Sequence, residues 1–184
     1  MSAVRDDAAP MRLLNGAAVD ALATAELGLA AAEAAARLDR SQVATGRVQV
    51  NGDVSWSRIL SGSLTELDVF GYKEFHRVGK RVRYHIHLFR ESDGNALGIV
   101  DGRRITSLRT SSTAAVAVRA WARGHAGGRA LRVGVIGSGE EAREGLRAVH
   151  GAIQVERASV YSPTPANRKA YAEELGAALD LQID

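Results

Sequence analysis

Val82, Tyr84, Ile86 and Leu88 alternate with Arg83, His85 and His87, and this period of two predicts a strand from Arg81 to Phe89 with one buried face. Val48-Gln-Val50 and Val54-Ser-Trp56 flank Asn51-Gly52, the strongest short hairpin signal in the chain. A further strand is predicted from about Leu67 to Phe75, and another from Ala96 to Val100 after the turn at Ser92-Asp-Gly-Asn95. Ahead of these, Met11 to Leu14 reads as a short strand that follows a loose tail and is broken by Asn15-Gly16. The period lengthens to three and four at Leu27, Ala31, Ala34 and Leu38. It predicts a closely packed, alanine-rich helix from Thr24 to about Arg40, with Glu33 and Arg37 paired on its outside. A second helix is predicted from about Thr106 to Ala122, with Ala114, Val118 and Trp121 on one face.

After the glycine-rich linker RGHAGGRA, residues 123–130, the order changes. Leu131 to Ile136 is a short buried-type strand, Gly139 to about His150 a helix, Ala158 to Tyr161 a strand and Pro165 to about Ala178 a helix. Leu179 to Ile183 opens a third strand. A β-α-β-α order implies a parallel sheet. The expected architecture is an α+β domain over residues 1–122, followed by an α/β domain over 123–184 that holds only the first part of its sheet.

Composition narrows the classes. The 184 residues are 46% hydrophobic and 24% charged, which suits a folded globular chain. Cysteine is absent, removing disulfides, thiolate metal sites and thiol nucleophiles, and pointing to the cytoplasm. No apolar run is long enough to span a membrane, and MSAVRDDAAPMR is too polar for a secretory signal. With 24 Lys and Arg against 21 Asp and Glu, the net charge is +3. The one basic cluster, Arg77, Lys80, Arg81 and Arg83, sits between two strand-like runs and so reads as a solvated hairpin connection rather than a phosphate-binding patch, and no aromatics interleave it to stack bases. No nucleic-acid or membrane partner is expected.

The clearest chemical motif is VGVIGSGEEA. Gly137-Ser138-Gly139-Glu140-Glu141-Ala142 follows a predicted strand and opens a predicted helix. Gly137 permits the tight turn, Gly139 lets backbone amides approach a pyrophosphate, and small Ala142 lets the helix pack on the strand. The helix N-terminus adds an anion site. This is a Rossmann-type fingerprint. The next strand ends in Val160-Tyr-Ser162-Pro-Thr164, followed by Asn167 and Arg168, with hydroxyls where NAD binders place a carboxylate and an arginine near enough for a 2′-phosphate. NADP is favoured over NAD, with a solvated loop arginine as the alternative.

Ile105-Thr-Ser-Leu-Arg109-Thr110-Ser-Ser-Thr113 gathers hydroxyls around one arginine where the second helix is predicted to start. It reads either as a carboxylate or phosphate site or as capping beside a surface arginine. Lys73 interrupts a hydrophobic strand as a cleft cation or a snorkelling edge residue. His85 and His87 share a strand face at a spacing able to hold a metal, but no third ligand is legible and no metal is expected. His76, His125 and His150 stand isolated. Neither G-x-S-x-G nor H-E-x-x-H occurs, so hydrolase chemistry finds no support.

Lys73, then GIVDGRRITSLRTSSTAAVAVRAWA, then VGVIGSGEEA, then VYSPTPANRKAYAEEL together resemble the ornithine cyclodeaminase and mu-crystallin family, from about Lys73 to the end and more loosely from Met11. The resemblance implies a dimeric enzyme with an α+β substrate and dimerisation domain and a Rossmann domain. It would convert small amino or imino acids by hydride transfer to or from a nicotinamide. By motif, Lys73 and Arg109 would bind the substrate carboxylate, with Arg109 also near the nicotinamide. Thr110, Gly137, Ser138, Gly139 and Glu140 would face the cofactor phosphates, and Ser162, Thr164, Asn167 and Arg168 the adenosine ribose.

The chain departs from the family pattern in three places. The family's additional carboxylate-binding arginine has only Arg47 and Arg58 as nearby counterparts, Glu141 stands where glutamine is common, and the family's catalytic aspartate has no counterpart before residue 184. The expected chain is therefore the N-terminal portion of a longer enzyme, either a deaminating cyclase or an imine or keto-acid reductase. The alternative is a non-catalytic, NADPH-binding mu-crystallin-like protein or an interaction fragment.

Overall fold

The computed structural model describes residues 10–38 and 43–184; the predicted tail before Pro10 and the predicted helix end at residues 39–40 lie outside the described residues. Contacts divide the chain into two units, one of Met1–Leu22 and Leu38–Ile105, the other of Ala23–Arg37 and Thr106–Asp184. The two predicted helices thus group with the C-terminal strands, and the compact units part near residue 105, ahead of the glycine-rich stretch.

The first unit is a six-stranded sheet built from β1 (Arg12–Leu14), β2 (Val43–Asn51), β3 (Ser55–Leu64), β4 (Val69–Val78), β5 (Arg81–Arg90) and β6 (Ala96–Asp101), in the order β1-β6-β5-β4-β3-β2. From β2 to β6 each strand pairs antiparallel with the next, and β1 joins β6 in parallel. β1 ends at Leu14, where Asn15-Gly16 breaks it as expected, and a short helix that the pattern did not predict, α1 (Gly16–Leu22), follows. Asn15 caps it, its Oδ1 accepting from the Ala18 amide at 3.0 Å.

The Asn51-Gly52 hairpin forms, but not with a two-residue turn. Asn51 remains in β2 opposite Trp56, and Gly52, Asp53 and Val54 make the connection, the Gly52 amide donating to the Ser55 carbonyl at 2.8 Å. β3 extends through Ser61-Gly-Ser63, a polar run with no strand signature of its own, because β2 and β4 flank it on both sides.

The turn between β4 and β5 is two residues, with Gly79 at φ +58°. Its register divides the basic cluster. Arg81 and Arg83 point to the face that carries His76 and Val78, while Arg77 pairs with Val82 on the other, so strand alternation prevents a single basic surface.

In the second unit, α2 (Ala25–Arg37) and α3 (Arg103–His125, from Thr106 onward) pack through small residues. Thr24 caps α2, its Oγ1 accepting from the Leu27 amide at 3.2 Å. A Cβ built on Gly28 would lie 2.6 Å from Ser112 Oγ and 2.8 Å from Leu108, so only glycine permits this approach.

Parallel strands β7 (Leu131–Ile136) and β8 (Val155–Tyr161) alternate with α4 (Glu140–Ala152) and α5 (Pro165–Leu179) as predicted. Leu146, Ala158, Val160, Tyr171, Leu175 and Leu181 form their core. The expected third strand begins beside β8, where the Ala158 amide donates to Gln182 O and the Val160 amide to Asp184 O. Among the described residues, no helix is long and apolar enough to cross a membrane.

Candidate functional site

The turn after β7 is an open turn with a glycine at each end. Gly137 sits at φ +107°, a conformation that residues with a side chain rarely adopt, and its amide donates to the Tyr161 carbonyl at 2.7 Å. Gly139 is the N-cap of α4, makes no side-chain cap and has nothing within 4 Å of where its Cβ would lie. An open cradle therefore faces a helix N-terminus, and these residues fit a dinucleotide phosphate pair. Ala142 Cβ lies 4.0 Å from where a Gly137 Cβ would stand, an ordinary van der Waals distance between the helix and the turn.

Ser138 Oγ donates to Ser162 Oγ at 3.0 Å, so the turn and the end of β8 form one surface. The guanidinium of Arg168 donates to the Ser162 carbonyl. Thr164 and Asn167 lie exposed at the start of α5, where Thr164 O accepts from the Asn167 and Arg168 amides. Val160 and Tyr161, which end β8, and Ser162 after them carry no carboxylate, and Arg168 reaches Ser162 from the first turn of α5.

Arg143, which motif reading passed over, braces this surface from below. It donates to the Ser138 carbonyl, lies 3.0 Å from Glu174 and covers the Tyr171 ring at 5.3 Å. Its signal in sequence was its place one turn after Gly139. Tyr171 donates to the Ala142 carbonyl at 2.9 Å, and burial pushes its phenol up to about 12.

Arg109 and Thr110 lie in the second turn of α3, because the helix starts at Arg103 and not near Thr106. Asp101 Oδ1 accepts the Arg103 amide at 2.9 Å, which fixes that earlier start. The helix-terminus field fades within the first turn, so it does not assist Arg109 as the sequence suggested. Thr110 Oγ1 donates back to Thr106 O at 2.8 Å. Arg109 is exposed, and Glu140 is exposed on the first turn of α4.

Lys73, in the sheet unit, is half-buried among aromatic rings. Its Nζ lies 5.1 Å from the Phe75 centroid and 5.7 Å from that of Tyr84. Beside it opens a hollow of about 310 Å³ lined by Leu60, Leu64, Val69, Ile86 and Leu88. The register puts Arg58 on the same face, opposite Phe75, with its Nε donating to Gln49 Oε1 at 2.9 Å and its guanidinium 5.4 Å from the Phe75 ring. Arg47 shares that face but is separated from Lys73 by Leu60 on β3. Of the two candidate arginines, the fold brings Arg58 closer to the aromatic lysine.

On the opposite face the structure corrects the histidine reading. His87 stacks on Tyr72, with centroids 4.5 Å apart, while His85 faces Glu74 across the β4–β5 pair. His76 joins them, so it is not isolated, and ligand atoms of Glu74, His76 and His85 lie within 4.8 Å of one another. A two-residue turn at Gly79-Lys80, counted back along both strands, would have revealed the Glu74–His85 pairing.

A mixed sheet in one unit and a parallel βαβα arrangement with a G-x-G turn in the other define a protein with an α+β domain and a Rossmann-type half-domain. The chain belongs to the ornithine cyclodeaminase/mu-crystallin family, whose model matches residues 69–184. Among curated proteins none matches the sequence.

Solved structures share the fold. A probable ornithine cyclodeaminase from Bordetella pertussis Tohama I is 21% identical with a TM-score of 0.83, and the match covers 95% of this chain and 55% of that one. Thermococcus litoralis Δ(1)-pyrroline-2-carboxylate reductase, solved with NADH and L-proline, is 23% identical with a TM-score of 0.79, over 94% and 56% of the two chains. Paracoccus denitrificans iminosuccinate reductase, solved with NAD+, is 21% identical with a TM-score of 0.82, over 95% and 56%. The chain thus spans a little over half the length of the structures it matches.

Proposed function

We propose that these residues form the substrate domain and the first half of the nucleotide domain of a nicotinamide-dependent enzyme acting on a small amino or imino acid. The observation that carries this reading is the open Gly139 cradle at the uncapped N-terminus of α4, tied through Ser138 to the hydroxyl-rich end of β8. The bound nicotinamide would give or take a hydride at the substrate carbon that bears nitrogen.

Gly137 and Gly139 would admit the pyrophosphate to backbone amides, with Ser138, Glu140 and Thr110 bordering it. Ser162, Thr164 and Asn167 would contact the ribose, and Arg168 a 2′-phosphate, which favours NADP over NAD. Lys73 would hold the substrate carboxylate as a cation set in an aromatic wall, with Arg109 and Arg58 as further cations. The domain division at residues 122/123 belongs to this reading, in which the sheet selects substrate and the βαβα segment binds cofactor. A second copy of the chain is the proposed partner.

Titration of the chain with NADPH and with NADH, followed by nicotinamide fluorescence, tests the reading. Saturation at or below about 1 mM with either is expected, the range in which enzymes bind their substrates. If neither cofactor saturates, the cofactor assignment is wrong. With binding established, oxidation of NADPH on addition of cyclic imino acids would identify the reductase direction, and ammonia release from ornithine the cyclising one.

A further inference from the structure

We infer that Glu74, His76 and His85 form a binding site for a divalent first-row transition ion of the Zn2+ type, on the sheet face opposite Lys73. Two imidazoles and one carboxylate converge from adjacent strands, with His85 Nδ1 2.6 Å and His76 Nδ1 3.3 Å from the two Glu74 oxygens. Zinc bonds of about 2.0–2.2 Å to nitrogen and oxygen set tetrahedral donors about 3.3 Å apart, so small side-chain rotations suffice. Imidazole donors select zinc, copper or nickel over magnesium and calcium.

The platform is rigid where it matters. Glu74 and His76 are spaced i,i+2 on β4, His85 lies opposite Glu74 on β5, and the two-residue Gly79-Lys80 turn fixes their register. Side-chain exposures of 25% for Glu74, 35% for His76 and 38% for His85 leave one side of the site open, so water completes the coordination.

Charge around the site is close to balanced. Asp101 on β6 faces His85 and adds a second negative group, while exposed Arg83 faces His76 and Arg81 lies further along β5. β3 contributes only Ile59 and Ser57 opposite Glu74 and His76. Competing donors are few, because the chain has five histidines and no cysteine. His87 is stacked on Tyr72, and His125 is bonded to the Trp121 carbonyl at 2.8 Å.

Calorimetric titration of the full chain with Zn2+, alone and against Mg2+ and Ca2+, is the test. The expected result is one Zn2+ per chain, unmatched by Mg2+ or Ca2+, with affinity reduced about tenfold or more in Glu74→Gln, His76→Ala and His85→Ala and unchanged in His125→Ala and His150→Ala. The spin-resonance spectrum of the wild-type chain with one Cu2+ supplies a readout that needs no variant, and coupling to two imidazole nitrogens is expected. Zn2+ binding that survives all three substitutions, or a Cu2+ spectrum lacking two coupled nitrogens, overturns the assignment and leaves the cluster a hydrogen-bonded His–Glu–His relay.

Discussion

Ser138 Oγ lies 3.0 Å from Ser162 Oγ, and this hydrogen bond ties the turn after β7 to the end of β8. The two glycines flanking Ser138 have separable roles. Gly137 is needed by the fold, since an alanine at φ +107° would cost about 1–3 kcal/mol and lower Tm. Gly139 has open space around its Cβ position, so Gly139→Val should leave thermal stability nearly intact while weakening NADPH binding about tenfold or more. Melting curves and cofactor titrations on both variants check the division.

Arg168 should set the cofactor preference. Arg168→Ala is expected to weaken NADPH binding several-fold and leave NADH binding little changed, because only the 2′-phosphate offers the guanidinium a dianion. Equal losses for the two cofactors would mean that its bond to the Ser162 carbonyl is its whole role.

Tyr171 gives an alkaline signature. Burial is the main cause of its rise to about 12, Glu174 adds to it, and Arg143 and Arg147 oppose it. A phenol whose folded pKa lies above the usual 10 contributes stability that is complete below pH 10 and is lost between about 10 and 12. Tyr171→Phe should flatten that decline, and loss of the hydrogen bond to Ala142 O should cost about 1 kcal/mol at neutral pH. Denaturant titrations from pH 8 to alkaline pH measure both effects.

At the acid end the relevant group is Glu74. Its partial burial raises the pKa, but hydrogen bonds and charge from His85 and His76 outweigh this and hold the carboxyl below its ordinary 4.5. A depressed carboxyl contributes stability that is present above 4.5 and is lost as pH falls through its lower folded value. Glu74→Gln should therefore remove part of the acid-induced fall in Tm below pH 4.5 while changing the slope above it little.

Gly28 tests the helix packing. Gly28→Ala puts a methyl group 2.6 Å from Ser112 Oγ and 2.8 Å from Leu108, and overpacking of this kind costs about 1–3 kcal/mol. The gain in helix propensity, about 1 kcal/mol, offsets only part of it. A Tm at or above that of the wild type would show that α2 and α3 can move apart.

Local pattern in the sequence was enough to place most elements and the glycine turn after β7. β7 matched at both ends because its short apolar run stops at Gly137, although only alternate positions are shielded and Ile136 is exposed, so it is not the buried-type strand expected; the turn was recognisable because Gly137 takes a positive φ that favours glycine. Tertiary neighbours decided what the local pattern left open. The Ser61-Gly-Ser63 segment became strand only because β2 and β4 pair with it. The start of α3 moved to Arg103 because Asp101 caps it, which removed Arg109 from the helix terminus. Arg58 came to share a face with Lys73, and Glu74 and His76 to meet His85, through cross-strand register. That register joins residues far apart in sequence, and periodicity along a single strand assigns a residue to a face without naming its neighbour there.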